Sequence, residues 1–313
     1  MISRTIPHRA FLAILLAGTA LAACGEPFDP PSLIEKTRAL GARVEVTGDP
    51  TRATPRPGES ATVTWIMAAP DALPPLGWAF LVCRSGVANP AEACAPAPLA
   101  IAQGSGTPSF ELAVPTADTL GSTQRLQLFG QICQDSAPIV DPQSNLPTCA
   151  GAGTRVTLDI ALQLGEQGNH SPALAERPFW FDGVAWPADA GADCASLPRV
   201  AAGSKGHVIR LTTLAEDRET LVVPAADPSD VTATPTTTRE VLQISNFTTA
   251  GELGQSYSVV EASDPRSEAD LDVKWDAPDS ASDSFRDGIV HFIFVARDLR
   301  GGVGLATRTV CVE

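Results

Sequence analysis

The stretch "VHFIFVARDLRGGVGLATRTVCV", residues 290–312, consists of two runs of alternating side-chain polarity on either side of Gly301-Gly302. A period of two is typical of a β-strand with one buried face, and glycine supplies the positive φ angles of a tight turn. Every second residue of the second run falls on one face, namely Ala306, Arg308, Val310 and Val312. Cys311 falls on the other face. The stretch therefore predicts a final β-hairpin.

The same pattern recurs upstream, between clusters of Pro, Gly and Asp. It is found in "ATVTWIM" (61–67), "WAFLVC" (78–83), "RLQLFGQI" (125–132), "VTLDIALQL" (156–164), "GHVIRLTTL" (206–214) and "REVLQISNF" (239–247). Val and Thr favour strands, and the Pro-rich loops between these runs would interrupt helices. The sequence predicts an all-β protein.

The composition changes at "EQGNHSPALAERP", residues 166–178, which has the Gly, Pro and polar character of a linker. The length of the chain suggests about two domains. We therefore expect β-sandwich domains over 33–165 and 179–313, with 166–178 as the linker between them.

Several of these stretches resemble known modules. "VEVTGDPTRATPRPGESATVTW" (44–65) resembles the first two strands of bacterial immunoglobulin-like domains, and "NHSPAL" (169–174) resembles the opening of cadherin-like and PKD-like repeats. The final hairpin resembles the closing strands of PKD domains. The resemblance implies two immunoglobulin-like β-sandwich domains, the second of PKD type.

The N-terminus has the features of an export signal. Arg4 and Arg9 precede an apolar run too short to span a membrane, and small residues lead to Cys24. "LAAC" (21–24) resembles the bacterial lipobox. This implies that 1–23 is a cleaved lipoprotein signal peptide, that Cys24 carries the lipid, and that 24–32 is a tether.

An ordinary secretory signal, cut after Ala22, is the alternative interpretation of the same segment. If the lipobox is used, the resemblance implies retention at the outer membrane, because Gly25 stands where an aspartate would favour the inner membrane. Whether the protein faces the periplasm or the outside stays open.

The cysteines agree with export. Six remain after Cys24, and an even number in an exported chain predicts disulfides, with 15 possible connectivities. Neighbours along the chain favour the pairs Cys83–Cys94, Cys133–Cys149 and Cys194–Cys311. A metal site is the alternative, but the chain has no C-x-x-C motif and no clustered histidines.

Charge limits the partners. The formal net charge of -14 falls to -16 when residues 1–23, with Arg4 and Arg9 and no acid, are removed. Nucleic acid is excluded as a partner because it is bound through basic patches. The expected partners are the membrane, through the lipid on Cys24, and an envelope protein or polysaccharide; the oligomeric state stays open.

No catalytic or cofactor motif occurs in a fitting context, so we predict neither an enzyme nor a cofactor. Acidic residues crowd 261–287, and a calcium-stiffened adhesin-like module is one alternative, with weak ligand candidates at Asp270, Asp272, Asp276 and Asp279. An anchored or secreted hydrolase on a β scaffold is another. A His-centred site in a concave pocket would favour the hydrolase.

Tryptophans are the residues that would recognise a sugar. Trp65 and Trp275 have the parity of core residues, whereas Trp78, Trp180 and Trp186 lie near strand starts and are expected to be partly exposed.

The tail of the chain is similar to a group of myxobacterial lipoproteins. The matching stretches are "NHSPAL", "EVLQISNFTTAGEL", "VKWDAP" and "FVARDLRGGVG". This resemblance implies a lipid-anchored envelope protein and carries no activity, substrate or catalytic residue with it.

Overall fold

A computed structural model describes residues 31–84, 94, 97–121, 125–141, 146–161, 168–188, 194–223, 236–279 and 288–313. The predicted signal peptide 1–23, Cys24 and the tether up to residue 30 lie outside the described residues. Asp283 and Asp287 of the acidic segment also lie outside them. Residues 31–313 form one compact unit.

The first half of this unit, residues 31–161, is built from β-strands of three to ten residues. Its strands are β1 (Arg38–Val46), β2 (Ser60–Ala68), β3 (Leu76–Arg84), β4 (Ala100–Ser105), β5 (Ser109–Ala113), β6 (Arg125–Gln134), β7 (Pro138–Val140), β8 (Pro147–Cys149) and β9 (Gly153–Ala161). A single helical turn, Ala117–Leu120, precedes β6.

Two antiparallel sheets make up this half, in the orders β1-β2-β5 and β4-β3-β6-β9, with a separate β7-β8 hairpin. The apolar faces meet in one core, where the rings of Trp65 and Phe80 stack with their centroids 3.7 Å apart. Because β3 pairs with β6, the strands that end near Cys83 and Cys133 are antiparallel neighbours.

The second half, residues 168–313, adds twelve strands. They are β10 (Phe179–Phe181), β11 (Val184–Ala185), β12 (Arg199–Val200), β13 (His207–Leu214), β14 (Thr220–Val223), β15 (Thr236–Arg239), β16 (Leu242–Thr248), β17 (Glu252–Leu253), β18 (Tyr257–Val260), β19 (Glu268–Asp276), β20 (Ile289–Arg297) and β21 (Val303–Val312). The predicted final hairpin is β20–β21, paired in register from Ile289 with Cys311 to Arg297 with Val303.

Two five-stranded sheets carry the second core, in the orders β11-β10-β13-β19-β17 and β12-β21-β20-β16-β18. All pairs are antiparallel except β12 with β21. The strands β14 and β15 form a small hairpin of their own. The all-β prediction is confirmed: the described elements are strands, one helical turn and two 3-10 turns.

The two halves share one strand order. In the first, β1-β2-β5 faces β4-β3-β6-β9; in the second, β10-β13-β19 faces β18-β16-β20-β21. The seven main strands of each half can be numbered 1 to 7 in chain order, leaving out the small hairpins and the added edge strands. In both halves, one sheet then has the order 1-2-5 and the other the order 4-3-6-7. The second half differs by three added edge strands, β11, β12 and β17.

A third apolar cluster joins the halves. Ile34, Leu40, Ile66 and Ala68 of the first half pack with Phe247, Val295 and Val303 of the second. Ile34 is fully buried and its N–H donates to the carbonyl oxygen of Thr248 at 2.8 Å. The guanidinium of Arg297 donates to the carbonyl oxygen of Leu40 across the same boundary.

The described part of the predicted linker, residues 168–178, packs against both halves. Asn169 is fully buried; its carbonyl oxygen accepts from Ala53 N–H at 2.6 Å, and its amide donates to Asp298 Oδ2 at 2.8 Å. Leu174 belongs to the core of the second half. This segment therefore connects the two halves through buried contacts.

The turn between β20 and β21 differs in detail from the prediction of two positive-φ glycines. Gly301 has φ 118°, but the second positive φ, 65°, belongs to Leu299. Gly302 is required for space: a Cβ there would lie 2.0 Å from Asp298 Oδ2 and 2.8 Å from the carbonyl oxygen of His170.

Among the described residues, no helix combines the length and the apolar composition needed to cross a membrane.

Candidate functional site

A tight turn in the second half fixes a carboxylate against a strand. Asp182 and Gly183 connect β10 to β11 with φ angles of 51° and 79°. Two consecutive positive φ angles are the mark of the type I′ turn of two-residue hairpins. The Asp182 N–H donates to the Val208 carbonyl at 2.9 Å, and the Val208 N–H donates to Asp182 Oδ1 at 2.8 Å. Both the backbone and the side chain of Asp182 are therefore held on β13.

The imidazole of His207 lies between this carboxylate and a serine hydroxyl. His207 Nδ1 is 2.7 Å from Asp182 Oδ2, and Nε2 is 2.8 Å from Ser204 Oγ. The ring stacks on Phe181, with centroids 5.4 Å apart and planes at 21°, and its side chain is 15% exposed. Packing and the Asp182 contact together fix the orientation of the ring.

Ser204 is held by backbone contacts on both sides. Its N–H donates to the carbonyl of Ala201 at 3.1 Å, and its own carbonyl accepts from Ala277 N–H at 2.8 Å. Its hydroxyl also donates a hydrogen bond to the Ala201 carbonyl oxygen at 2.5 Å. The single hydroxyl proton of Ser204 thus has two acceptors, that oxygen and His207 Nε2.

The imidazole of His207 lies between the Asp182 carboxylate and the Ser204 hydroxyl, where it can take the proton of that hydroxyl. With its proton on Nδ1, neutral His207 donates to Asp182 and presents the Nε2 lone pair to Ser204 Oγ. A base within hydrogen-bond reach of a hydroxyl, itself oriented by a third group, is the arrangement of an activated nucleophile.

An open depression of about 380 Å³ borders the Ser204 loop. Its lining consists of Lys205, Gly251, Glu252, Asp276, Ala277, Pro278 and Asp279. The Gly206 N–H donates to Asp276 Oδ1 at 2.7 Å, and Lys205 Nζ lies 4.0 Å from Asp276 Oδ2. Three carboxylates and one ammonium give this depression a negative charge.

A second, largely apolar cavity of about 220 Å³ lies between the halves. It is lined by Gly41, Ala42, Val44, Ala53, Thr54, Leu158, Ile160, Arg297, Leu299, Gly301, Gly302 and Val303. Arg297 donates to Ser245 Oγ at 2.8 Å and to the Leu40 carbonyl, and burial lowers the pKa of its guanidinium. These contacts make Arg297 a polar tie between the halves.

Two buried carboxylates bind residues of the turn between β20 and β21. Asp298 accepts from the N–H groups of Arg300 and Gly302 and from Asn169, while Glu240 pairs with Arg300 at 2.5 Å. Burial raises the pKa of both carboxyls. Their hydrogen bonds are all internal, so they serve the β20–β21 turn.

The three disulfides of the structure are Cys83–Cys94, Cys133–Cys149 and Cys194–Cys311. Disulfide bonding, predicted from the even cysteine count, is confirmed, and these are the pairs that neighbours along the chain favour. The first two close short loops at the ends of β3 and β6. The third joins the segment before β12 to the last strand, β21.

The four calcium candidates lie on and after β19, and Asp270, Asp272 and Asp276 bind other residues. Asp272 accepts two hydrogen bonds from Arg210, at 2.7 and 2.9 Å, which lower its pKa, and Asp270 accepts from Thr212 at 2.5 Å. Asp276 and Asp279 line the depression. In the part of the chain that the structure describes, no three His, Cys, Asp or Glu side chains group as a metal site.

The structure corrects the expected exposure of two tryptophans. Trp78 and Trp186 are buried, 6% and 2% exposed, whereas Trp65 and Trp275 are core residues as their parity predicts. Trp180 is half-buried. Cys24 lies outside the described residues.

Sequence reasoning missed the Ser204–His207–Asp182 chain. Its members are separated by up to 25 positions. The pairing of β10 with β13 brings Asp182 to His207, and the hydrogen bond to Ala277 holds the Ser204 loop beside them. The one local signal was the dipeptide Asp182-Gly183 between apolar runs, which is typical of a type I′ hairpin.

Comparison with known proteins assigns no family. No family model matches the chain, and no curated protein matches it. Among solved structures, one match is Escherichia coli alpha-2-macroglobulin activated by porcine elastase, at 10% identity and a TM-score of 0.23. It covers 91% of this chain, which spans about 22% of that protein.

Proposed function

We propose that the chain is an exported lipoprotein of the outer membrane, built from two immunoglobulin-like domains, that binds a protein or polysaccharide of the cell envelope. The signal peptide 1–23 is removed, and Cys24 carries the lipid. The arguments are the lipobox-like "LAAC", the cysteine usage and the shared strand order of the two halves.

The strand order supports the immunoglobulin-like assignment. Sheets of the type A-B-E facing C′-C-F-G are those of immunoglobulin-like sandwiches. Both halves pair their main strands in this order, from β1 to β9 and from β10 to β21. The parallel strand β12 at the edge of β21 is an addition to the second half.

The docking of the chain just after the tether carries the proposal. Leu33 forms a bridge with Thr248, Thr248 N–H donates to the Ser32 carbonyl at 2.9 Å, and Ile34 is buried between the halves. Seven residues separate Cys24 from Ser32. Fully extended, the eight Cα–Cα steps from Cys24 to Ser32 reach about 28 Å, so an acylated Cys24 would keep the folded unit at the membrane surface.

One end of the first half offers a surface for a partner. Leu73, in the loop before β3, and Ile139, on the short strand β7, are about half exposed. A hydrogen bond from Asp135 N–H to the Pro75 carbonyl links the two segments that carry them. Exposed apolar side chains on a rigid scaffold are typical of binding loops.

The anchor is tested by intact mass spectrometry of membrane-extracted protein and of Cys24→Ser. We expect a chain that begins at Cys24 with added acyl mass, and a gain of six hydrogen atoms on reduction of three disulfides. Cys24→Ser should lose the acyl mass and leave the membrane fraction. An unacylated wild-type chain in the soluble fraction would overturn the lipoprotein proposal.

The binding role is tested by photo-crosslinking in the native envelope. A photoreactive residue at Leu73 or Ile139 should give adducts, while the same residue at Glu111, on the exposed side of β5, should not. Equal adduct patterns from all three positions would contradict a binding surface at this end.

A further inference from the structure

We propose that Ser204, His207 and Asp182 form an acyl-transfer centre that acts on carboxylic esters with a basic acyl group. Ser204 is the nucleophile, His207 the general base, and Asp182 a positioning residue. This goes beyond the anchoring and binding proposed above and departs from the sequence-based expectation of a non-enzymatic protein.

The geometry of the three side chains carries the proposal. The distances of 2.7 and 2.8 Å are hydrogen bonds, and they run in sequence from carboxylate to imidazole to hydroxyl. This is the constellation of the serine hydrolases, which is defined by geometry and roles and not by chain order.

The centre is preorganised by the fold. Asp182 is fixed by two hydrogen bonds to Val208, and the His207 ring is packed on Phe181 with Trp275 beside it, at 5.8 Å between centroids. Catalytic groups act efficiently when neighbouring contacts hold their orientation before the substrate arrives. Here those contacts come from strands rather than from a mobile loop.

Acyl transfer at this centre balances without a further reagent. Ser204 Oγ attacks the ester carbonyl while its proton passes to His207 Nε2. The leaving alcohol departs with that proton, which leaves an acyl-serine and neutral His207. Water then attacks the acyl-serine with His207 as base, and releases the carboxylic acid and the free serine.

The substrate class is inferred from the depression that borders the Ser204 loop, which Lys205 lines and Ser204 itself does not. Lys205, the residue after the nucleophile, is 79% exposed and lines it, so its ammonium can face the negative oxygen that forms during attack. Glu252, Asp276 and Asp279 leave the depression net negative. A basic group on the acyl part of the ester fits this charge.

The nucleophile is tested with a fluorophosphonate probe on the mature, disulfide-bonded protein. Ser204 Oγ should bond to phosphorus and expel fluoride, so that peptide mass spectrometry finds the adduct on Ser204. Ser204→Ala should abolish it, and His207→Gln and Asp182→Asn should slow labelling at least 100-fold. Asn keeps the turn because it tolerates a positive φ.

Matched controls separate catalysis from folding. His170→Gln removes a second His–carboxylate pair, with Glu219, and Ser109→Ala removes a hydroxyl that is bonded to Thr64. Both should label at the wild-type rate. Ser204→Ala and Asp182→Asn should melt within about 3 °C of wild type, since a folding defect would shift the melting temperature further.

The substrate class is tested with two chromogenic esters, the 4-nitrophenyl esters of Nα-protected lysine and Nα-protected glutamate. We expect the lysine ester to turn over at least tenfold faster, and Lys205→Met to lower kcat. No adduct on Ser204, or labelling that survives Ser204→Ala, would overturn the centre. Equal turnover of both esters would overturn the assigned substrate class.

Discussion

Replacement of Ile34 by alanine tests how the chain enters the folded unit. Ile34 is fully buried in the cluster that joins the halves. Ile to Ala changes in a core lower the free energy of unfolding by about 2–5 kcal/mol. Because the site is closed by groups from both halves, we expect a loss of about 3–4 kcal/mol, equivalent to about 6–12 °C in melting temperature.

The assay is urea unfolding of the purified mature chain, followed by tryptophan fluorescence and by circular dichroism. The five tryptophans lie in both halves, so the fluorescence and circular dichroism transitions should move to lower urea together. Ile101→Ala is the matched control because Ile101 is 49% exposed on β4. It should change the free energy of unfolding by less than about 0.5 kcal/mol.

A loss of less than about 1 kcal/mol in the free energy of unfolding for Ile34→Ala would refute this reasoning, because truncating a fully buried Ile to Ala removes more stabilising contact than that. Two separate transitions in the wild-type protein, one for each half, would also contradict the shared cluster as a source of cooperativity.

Three further outcomes follow from the same contacts. Serine replacement of both cysteines of Cys194–Cys311 should lower the free energy of unfolding by about 5 kcal/mol, whereas the same replacement at Cys83–Cys94 should lower it by about 3 kcal/mol. Cys194 and Cys311 are 117 positions apart, and the longer loop gains more chain entropy when its disulfide is removed. Equal losses in denaturant titrations would contradict this. Gly302→Ala should lower the melting temperature by about 4 °C or more, since its Cβ would meet a backbone oxygen at 2.8 Å; an unchanged value argues against the turn. Burial raises the pKa of the Glu240 carboxyl in the folded state. The contribution of this carboxyl to the free energy of unfolding is therefore fully present below the unfolded-state pKa and is lost as pH rises through the folded-state pKa. The melting temperature of Glu240→Gln minus that of the wild type should therefore be larger at pH 7 than at pH 5. The same difference at both pH values would count against a buried acid at this position.

Part of the candidate site could be anticipated from local patterns. The Asp182-Gly183 turn and the alternating run from His207 are visible in the sequence, and together they indicate a hairpin next to a strand. The meeting of Ser204 with His207 could not be anticipated, because three-residue spacing in a loop does not specify a direction for either side chain. It depends on the hydrogen bonds between the Ser204 loop and Ala277.

The sequence by itself determined the all-β class and the disulfide-bonded character of the chain, because a two-residue polarity period and an even number of cysteines are local or countable properties. It also contains the lipobox-like stretch "LAAC" (21–24) on which the lipoprotein proposal rests. Only the tertiary structure decided that Asn169 is buried between the halves, that Trp78 and Trp186 are core residues, and that a serine, a histidine and an aspartate meet. These facts depend on which strand lies beside which, and strand pairing is set by the packing of distant apolar faces rather than by any local pattern.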